Sequence, residues 1–183
     1  MSTALLIIDV QEGLCAGEEE CFDSQRLVQT INDLSARARA VDLPVILVQH
    51  EELDGSLAHG SAAWQLAGGL LTGPDDLRVR KTTPDAFYQT DLLALLQARS
   101  IDRVVICGLQ TDYCINATVR QAHALGYEVV LAADAHSTVD NGSMTAEQII
   151  ANHNHRLGRL SSAVSRIDVM PAAKIRLQPM WQD

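Results

Sequence analysis

The sequence predicts a doubly wound, three-layer α/β/α fold with a parallel sheet, on three observations. Short apolar runs alternate with segments of helical periodicity along the chain. The runs are almost continuously apolar and rich in β-branched residues, as in strands covered on both faces. Helical segments lie between the strands, as right-handed crossovers require.

Ala4-Leu5-Leu6-Ile7-Ile8-Asp9 reads as the first buried strand. Gln25–Val41 reads as an amphipathic helix with Ser24 as N-cap and Leu27, Ile31, Leu34 and Ala38 on one face. Pro44–Val48 is the second strand, followed by a stretch of loops and short helical turns from Glu51 to Gly73. Leu77–Arg80 is a short third strand, Thr90–Arg99 a helix, and Arg103–Cys107 a fourth strand. Tyr113–Leu125 reads as a helix stopped by Gly126. Glu128–Ala133 is a strand, Thr145–Leu157 a helix, and Ser162–Val164 a last short strand. The tail beyond Met170 reads as a surface extension available to a subunit contact. The 183 residues suit one domain spanning 1–183, without internal repeat or linker.

Composition narrows the function. A net charge of −9 without a cluster of Lys or Arg argues against nucleic-acid and anionic-membrane partners. No apolar run reaches the roughly 18 residues that span a bilayer. No basic stretch precedes Ala4–Val10, so a cytoplasmic location is the expectation. The four cysteines, Cys15, Cys21, Cys107 and Cys114, contain no Cys-x-x-Cys pair that would suggest structural zinc. Cys15 and Cys21 could pair in a secreted protein, but nothing else points outside the cell. Cys107 reads as core.

Three residues at strand ends carry chemistry. Cys114 lies where the strand Val104–Cys107 breaks at Gly108 and the chain restarts as a helix. A thiol near a helix N-terminus, outside the carboxyl end of a strand, has the setting of a reactive thiolate. A small buried hydrophobe is the alternative. Asp9 ends the first strand and reads either as a loop or cap aspartate or as a base beside the nucleophile, with Gln11 and Glu12 placed to orient it. Lys81 ends the third strand; pointing inward, it would lower a thiol's pKa and stabilise an aspartate.

These strand ends together resemble the isochorismatase-like cysteine hydrolase family, which includes nicotinamidase-related amidohydrolases. The resemblance rests on Leu5-Leu6-Ile7-Ile8-Asp9-Val10-Gln11, Arg80-Lys81 before Thr83-Pro84-Asp85-Ala86-Phe87, and Cys107-Gly108-Leu109-Gln110-Thr111-Asp112-Tyr113-Cys114. It runs from Leu5 to about Val164. It implies a Rossmann-like six-stranded parallel sheet and an Asp9–Lys81–Cys114 triad. In that triad Cys114 is the nucleophile, Asp9 the proton acceptor and Lys81 the electrostatic partner of both. It further implies a cis peptide at Leu109–Gln110 and an oxyanion hole from the N–H groups of Gln110 and Cys114. The implied reaction cleaves the C–N bond of a small amide through a thioester. Gln11, His50, Trp64, Gln110 and Tyr113 are the expected substrate-binding residues.

The sequence departs from the family's metal-binding nicotinamidases. Their Asp-x-His element after the second strand is replaced by Val48-Gln49-His50-Glu51-Glu52. No metal or other cofactor is therefore expected, although ligation by His50 and Glu51 with His59 stays open. Isochorismatases that cleave a vinyl ether lack a cysteine nucleophile here in their best-known members, so Cys114 favours the amidase branch. Asp134 resembles a structural aspartate that fixes loops near the site, and His136 reads as a loop histidine. His153-Asn154-His155 reads as surface or interface structure, and Asp140-Asn141-Gly142 as a turn. The resemblance implies a homo-oligomer. The alternatives are an isochorismatase-type hydrolase of another small substrate, or an idle or redox-sensing binding protein. A redox sensor requires Cys15 to approach Cys114.

Overall fold

The computed structural model describes residues 2–160 and 165–177. Its strands are β1 (Thr3–Ile8), β2 (Val45–His50), β3 (Leu77–Lys81), β4 (Arg103–Leu109), β5 (Glu128–Ser137) and β6 (Ile167–Met170). They form one sheet in the order β3-β2-β1-β4-β5-β6, with every pairing parallel. This is the expected doubly wound, Rossmann-like order. The chain reverses its direction of travel between β1 and β4, and such switch points open a crevice at the carboxyl ends of the strands.

Every residue of β1 is buried, because helices cover both faces. Side chains alternate across a strand. Leu6 and Ile8 therefore pack with Leu92 and Leu96 of α3 (Leu92–Ala98) and Val119 and Ala122 of α4 (Asn116–Ala124). Leu5 and Ile7 pack on the other face with Leu27, Ile31, Leu34 and Ala38 of α2 (Ser24–Arg39). The short helix α1 (Glu12–Cys15) follows β1, and α5 (Ala146–Leu157) precedes β6.

Local chemistry explains the boundaries. Helix α5 starts at a full capping box, in which Thr145 accepts from the Gln148 N–H and the Gln148 side chain accepts from the Thr145 N–H. Ser24 is the first residue of α2 rather than its cap; its hydroxyl donates to Glu20 instead. Asp23 stands at the cap position in a left-handed conformation, φ 53°. Asp140 and Asn141 do build the expected turn, accepting backbone N–H groups of Ala146, Ser143 and Met144.

Two expectations change. The tail beyond Met170 is no surface extension as far as Leu177. Ala172, Ile175 and Leu177 are buried on the α2 face, and Arg37 donates to the carbonyls of Ala172 and Ile175 at 2.9 and 2.6 Å. Tertiary burial, invisible to local pattern, recruits this segment as a lid on the core. The strand expected at Ser162–Val164 lies outside the described residues; β6 is at Ile167–Met170. No helix among the described residues is long and apolar enough to cross a membrane.

Gly108 lets β4 reach the switch point. Its φ is +117°, and a Cβ there would lie 2.0 Å from the Ile8 carbonyl oxygen. Only glycine permits this approach. Gly108→Ala should cost more than about 4 kcal/mol, the range reserved for severe core disruption. Thermal unfolding of the variant tests this; a wild-type melting temperature would refute the steric argument.

Candidate active site

The crevice at the switch point collects one side chain from each of three strand ends. Asp9 follows β1 in a left-handed backbone conformation, φ 52°. Its N–H donates to Val48 O at 2.8 Å, and its own carbonyl accepts from Gln11 N at 2.8 Å. The expected helix at Tyr113–Leu125 divides in two. A π-helical turn, Thr111–Ile115, carries Cys114, and α4 begins only at Asn116. Such turns are frequent at functional sites, where they re-aim a side chain. Lys81, at the end of the edge strand β3, reaches past β2 toward the centre of the sheet.

Lys81 is the hub. Its Nζ lies 2.7 Å from Asp9 Oδ2, 3.2 Å from Cys114 Sγ, 3.1 Å from His50 Nδ1 and 3.1 Å from Thr83 O. The Lys81 and Asp9 side chains are 0% and 1% exposed. Burying an ammonium costs several kcal/mol unless acceptors surround it, and here they do. No backbone N–H or hydroxyl among the described residues donates to Asp9. Its carboxylate therefore relies on Lys81 and keeps a lone pair for a proton.

An ammonium has three protons, and four acceptors meet it. A neutral thiol is the weakest acceptor of the four. With Cys114 protonated, Asp9, Thr83 O and His50 take the three bonds. When Cys114 becomes a thiolate, Lys81 can turn one proton toward sulfur and release the imidazole. Burial and then the Lys81 charge hold His50 below its ordinary pKa, so it is the neutral partner this exchange requires.

The expectation of a preformed thiolate is corrected. Burial, and after it the charge of Asp9, pushes the Cys114 thiol up to about 12, and the opposing pull of Lys81 is smaller. The α4 terminus lies beyond the π turn, and desolvation dominates. Cys114 rests as a thiol beside the Asp9 carboxylate.

Asp9, His50 and Cys114 offer ligand atoms within 4.8 Å of one another, a spacing that could suit a metal. The Lys81 ammonium already stands against all three, so the set is neutralised by a cation of the chain itself. Glu51, the other candidate ligand, is held in a bidentate pair by Arg80 at 2.7 and 2.9 Å.

The expected pocket residues divide. Gln11 is corrected: it is fully buried, donating to His50 O and Trp64 O at 2.9 Å each and accepting from His50 N at 2.8 Å. With its amide engaged by backbone, it braces the crevice rather than meeting a substrate. Trp64 is thereby tied beside the end of β2. Its ring packs edge-on against His59, centroids 4.6 Å apart, and its buried Nε1–H has no partner. Tyr113 is 59% exposed beside Cys114. The Leu109–Gln110 peptide is cis, and Gln110 O accepts from Tyr113 N and Ile115 N.

Sequence reading misses the support behind this loop. Buried His136, on β5, shares a 2.8 Å hydrogen bond with Thr111 Oγ1, and its Nε2 lies 2.8 Å from Asn154 Oδ1. Asn154 Nδ2 donates to Ala133 O, so Oδ1 must accept from His136 Nε2–H. Nδ1 then accepts the Thr111 hydroxyl proton. The signal was present in His153-Asn154-His155, but the asparagine carries it rather than the flanking histidines. Asp134 does not fix a loop of the site; it accepts the Ala172 N–H at 2.7 Å and anchors the C-terminal segment.

Burial depresses the His136 pKa to about 4. The unfolded chain protonates this imidazole near pH 6.5, while the folded chain resists until about pH 4. Its contribution is therefore complete above about pH 6.5 and is lost as pH falls toward 4. About 3 kcal/mol of stability should disappear across that window. Denaturant titrations at pH 7 and pH 4.5 measure it, and His136→Gln should flatten the dependence.

Sheet order, switch-point crevice and a buried acid–cation–thiol cluster define a Rossmann-like α/β domain with its candidate active site at the switch point. A family model for the isochorismatase domain matches residues 3–163. The isochorismatase family protein YecD of Escherichia coli O157:H7 is 31% identical over 180 residues, covering 91% of each chain. A streptothricin hydrolase of Streptomyces noursei is 37% identical over 138 residues, 75% of this chain and 50% of that protein. The chain thus spans about half the length of that relative. The crystal structure of an isochorismatase family protein matches with TM-score 0.82 at 37% identity, covering 90% of this chain and 96% of that one. The chain belongs to the isochorismatase family.

Proposed function

We propose that the protein is a cysteine-dependent amidohydrolase that cleaves the C–N bond of a small amide. The observation that carries this reading is Lys81 Nζ standing 2.7 Å from Asp9 and 3.2 Å from Cys114 in a buried crevice. One cation there can serve a base and a nucleophile in turn. Relatives named for amide chemistry support it. One is the ureidoacrylate amidohydrolase RutB of Pseudomonas syringae, 26% identical over 170 residues.

Asp9 takes the Cys114 proton as sulfur bonds to the carbonyl carbon. Concerted transfer suits a thiol whose pKa stands near 12, because no free thiolate need accumulate. As negative charge forms on sulfur, Lys81 turns one N–H from His50 Nδ1 toward it, and no proton is transferred. The N–H groups of Gln110 and Cys114 are the donors proposed for the tetrahedral oxyanion. The protonated Asp9 then gives its proton to the leaving amine, and the C–N bond breaks to leave a thioester. Water, deprotonated by Asp9, attacks the thioester; the acid departs and Cys114 recovers its proton. His50, with its imidazole released, and Trp64 Nε1–H offer substrate contacts, and Tyr113 flanks the entrance.

The test is hydrolysis of a panel of small amides and ureides, nicotinamide included, followed by an acid quench during turnover and mass analysis. The expected result is an acyl adduct on the peptide containing Cys114, with turnover unchanged by a chelator. Turnover without an adduct under burst conditions, or abolished by the chelator, refutes the thioester route.

A further inference from the structure

The catalytic cluster does not use Cys15 and Cys21. They sit at the two ends of an exposed loop between α1 and α2. The Cys21 N–H donates to Leu14 O at 3.1 Å, which closes the loop at its base and brings the two residues side by side. Both thiols are free, and both residues belong to the α2-side core cluster. Cys15 packs against the α2-side core cluster, whereas Cys114 packs against the opposite one, so Cys15 is a partner for Cys21 and not for Cys114.

The surroundings suit thiol chemistry. Cys15 opens onto a surface cavity of about 420 Å³, shared with Glu12, Val28 and Gly68. Cys21 lines a second, of about 340 Å³, with Glu20 and Asp23. Cys15, and to a smaller degree Ser137, lowers the Cys21 pKa against the effect of burial. Cys21 and burial push Cys15 up. One member is therefore prepared as nucleophile, and the other holds the proton. The pair also joins two walls of the fold. Cys15 N bonds Gln11 O on one side. On the other, Phe22 bonds Thr138 O and Ser137 Oγ.

We propose that Cys15 and Cys21 form a reversible dithiol–disulfide couple oxidised by a small hydroperoxide. The Cys21 thiolate attacks the peroxide oxygen, the O–O bond breaks, and a sulfenic acid forms as hydroxide leaves. Cys15 then attacks the Cys21 sulfur. The S–O bond breaks, hydroxide leaves with the Cys15 proton as water, and the disulfide closes. Two thiols are oxidised, and one hydrogen peroxide is reduced to two waters. The disulfide would lock the loop that links β1 to α2.

Trypsin leaves both residues in peptide 1–26, while Cys107 and Cys114 fall together in peptide 104–120. Full-length protein is treated with substoichiometric hydrogen peroxide, alkylated and digested. Peptide 1–26 should lose two hydrogens and resist alkylation until a dithiol reductant restores both sites. In Cys15→Ser, or Cys15→Ala if the first folds poorly, dimedone should trap a sulfenic acid at Cys21. Oxidation that falls first on peptide 104–120 while peptide 1–26 stays alkylatable overturns the proposal. So does the absence of a dimedone adduct in both variants. None of these readouts depends on the amidase reading.

Discussion

Cys114→Ala is expected to lower kcat/KM on the preferred amide by about 10⁴ or more, the scale on which loss of a nucleophile is felt. The fold should barely notice. Lys81 keeps Asp9, Thr83 O and His50 as acceptors, so its three protons remain satisfied. A melting temperature within a few degrees of wild type, with turnover lost, places the thiol in the chemistry. Cys114→Ser should be nearly as inactive, because an alcohol holds its proton more tightly than a thiol. Turnover above about 1% in Cys114→Ala would remove the thiol from the mechanism.

Lys81→Met should be more damaging because it strikes stability and chemistry together. Methionine approximates the lysine stem but leaves Asp9, 1% exposed, without its ion-pair partner. Breaking one half of a buried pair costs about 3–5 kcal/mol. In a chain of this size that lowers the melting temperature by on the order of 10 °C. Activity should fall with it, since nothing remains to hold the developing thiolate. The double variant Asp9→Asn/Lys81→Met separates the two effects. It should recover much of the stability, because the orphaned charge is gone, and none of the activity. Recovery of activity as well would show that the pair is structural.

Much of the fold was legible locally. The apolar runs at Leu5–Ile8 and Val104–Cys107 are central strands, and the apolar stripe Leu27, Ile31, Leu34 and Ala38 is the buried face of α2. Periodicity records burial, so elements buried by their own pattern were readable. Ala172, Ile175 and Leu177 show no such pattern; they are buried because the chain there packs against the α2-side core. Tyr113 to Ile115 read as the start of an α-helix, yet they wind within the π turn Thr111–Ile115, which brings Cys114 to Lys81.

The candidate site shows the same division. Asp9, Lys81 and Cys114 were nameable from strand-end position and from the family they resemble, since a parallel sheet sends its strand ends to one edge. The duties of Gln11, His136 and Asn154 were not. A hydrogen bond between residues 39 positions apart, as between Gln11 and His50, leaves no trace in spacing. Residue types and their periodicity determined the sheet and which side chains reach its functional edge. Only the tertiary structure decided that Cys114 rests as a thiol, that Lys81 is shared among four acceptors, and that Cys21 lies beside the Leu14–Cys15 backbone. Protonation and partnership are set by desolvation and by distances of a few ångströms between segments far apart in the chain.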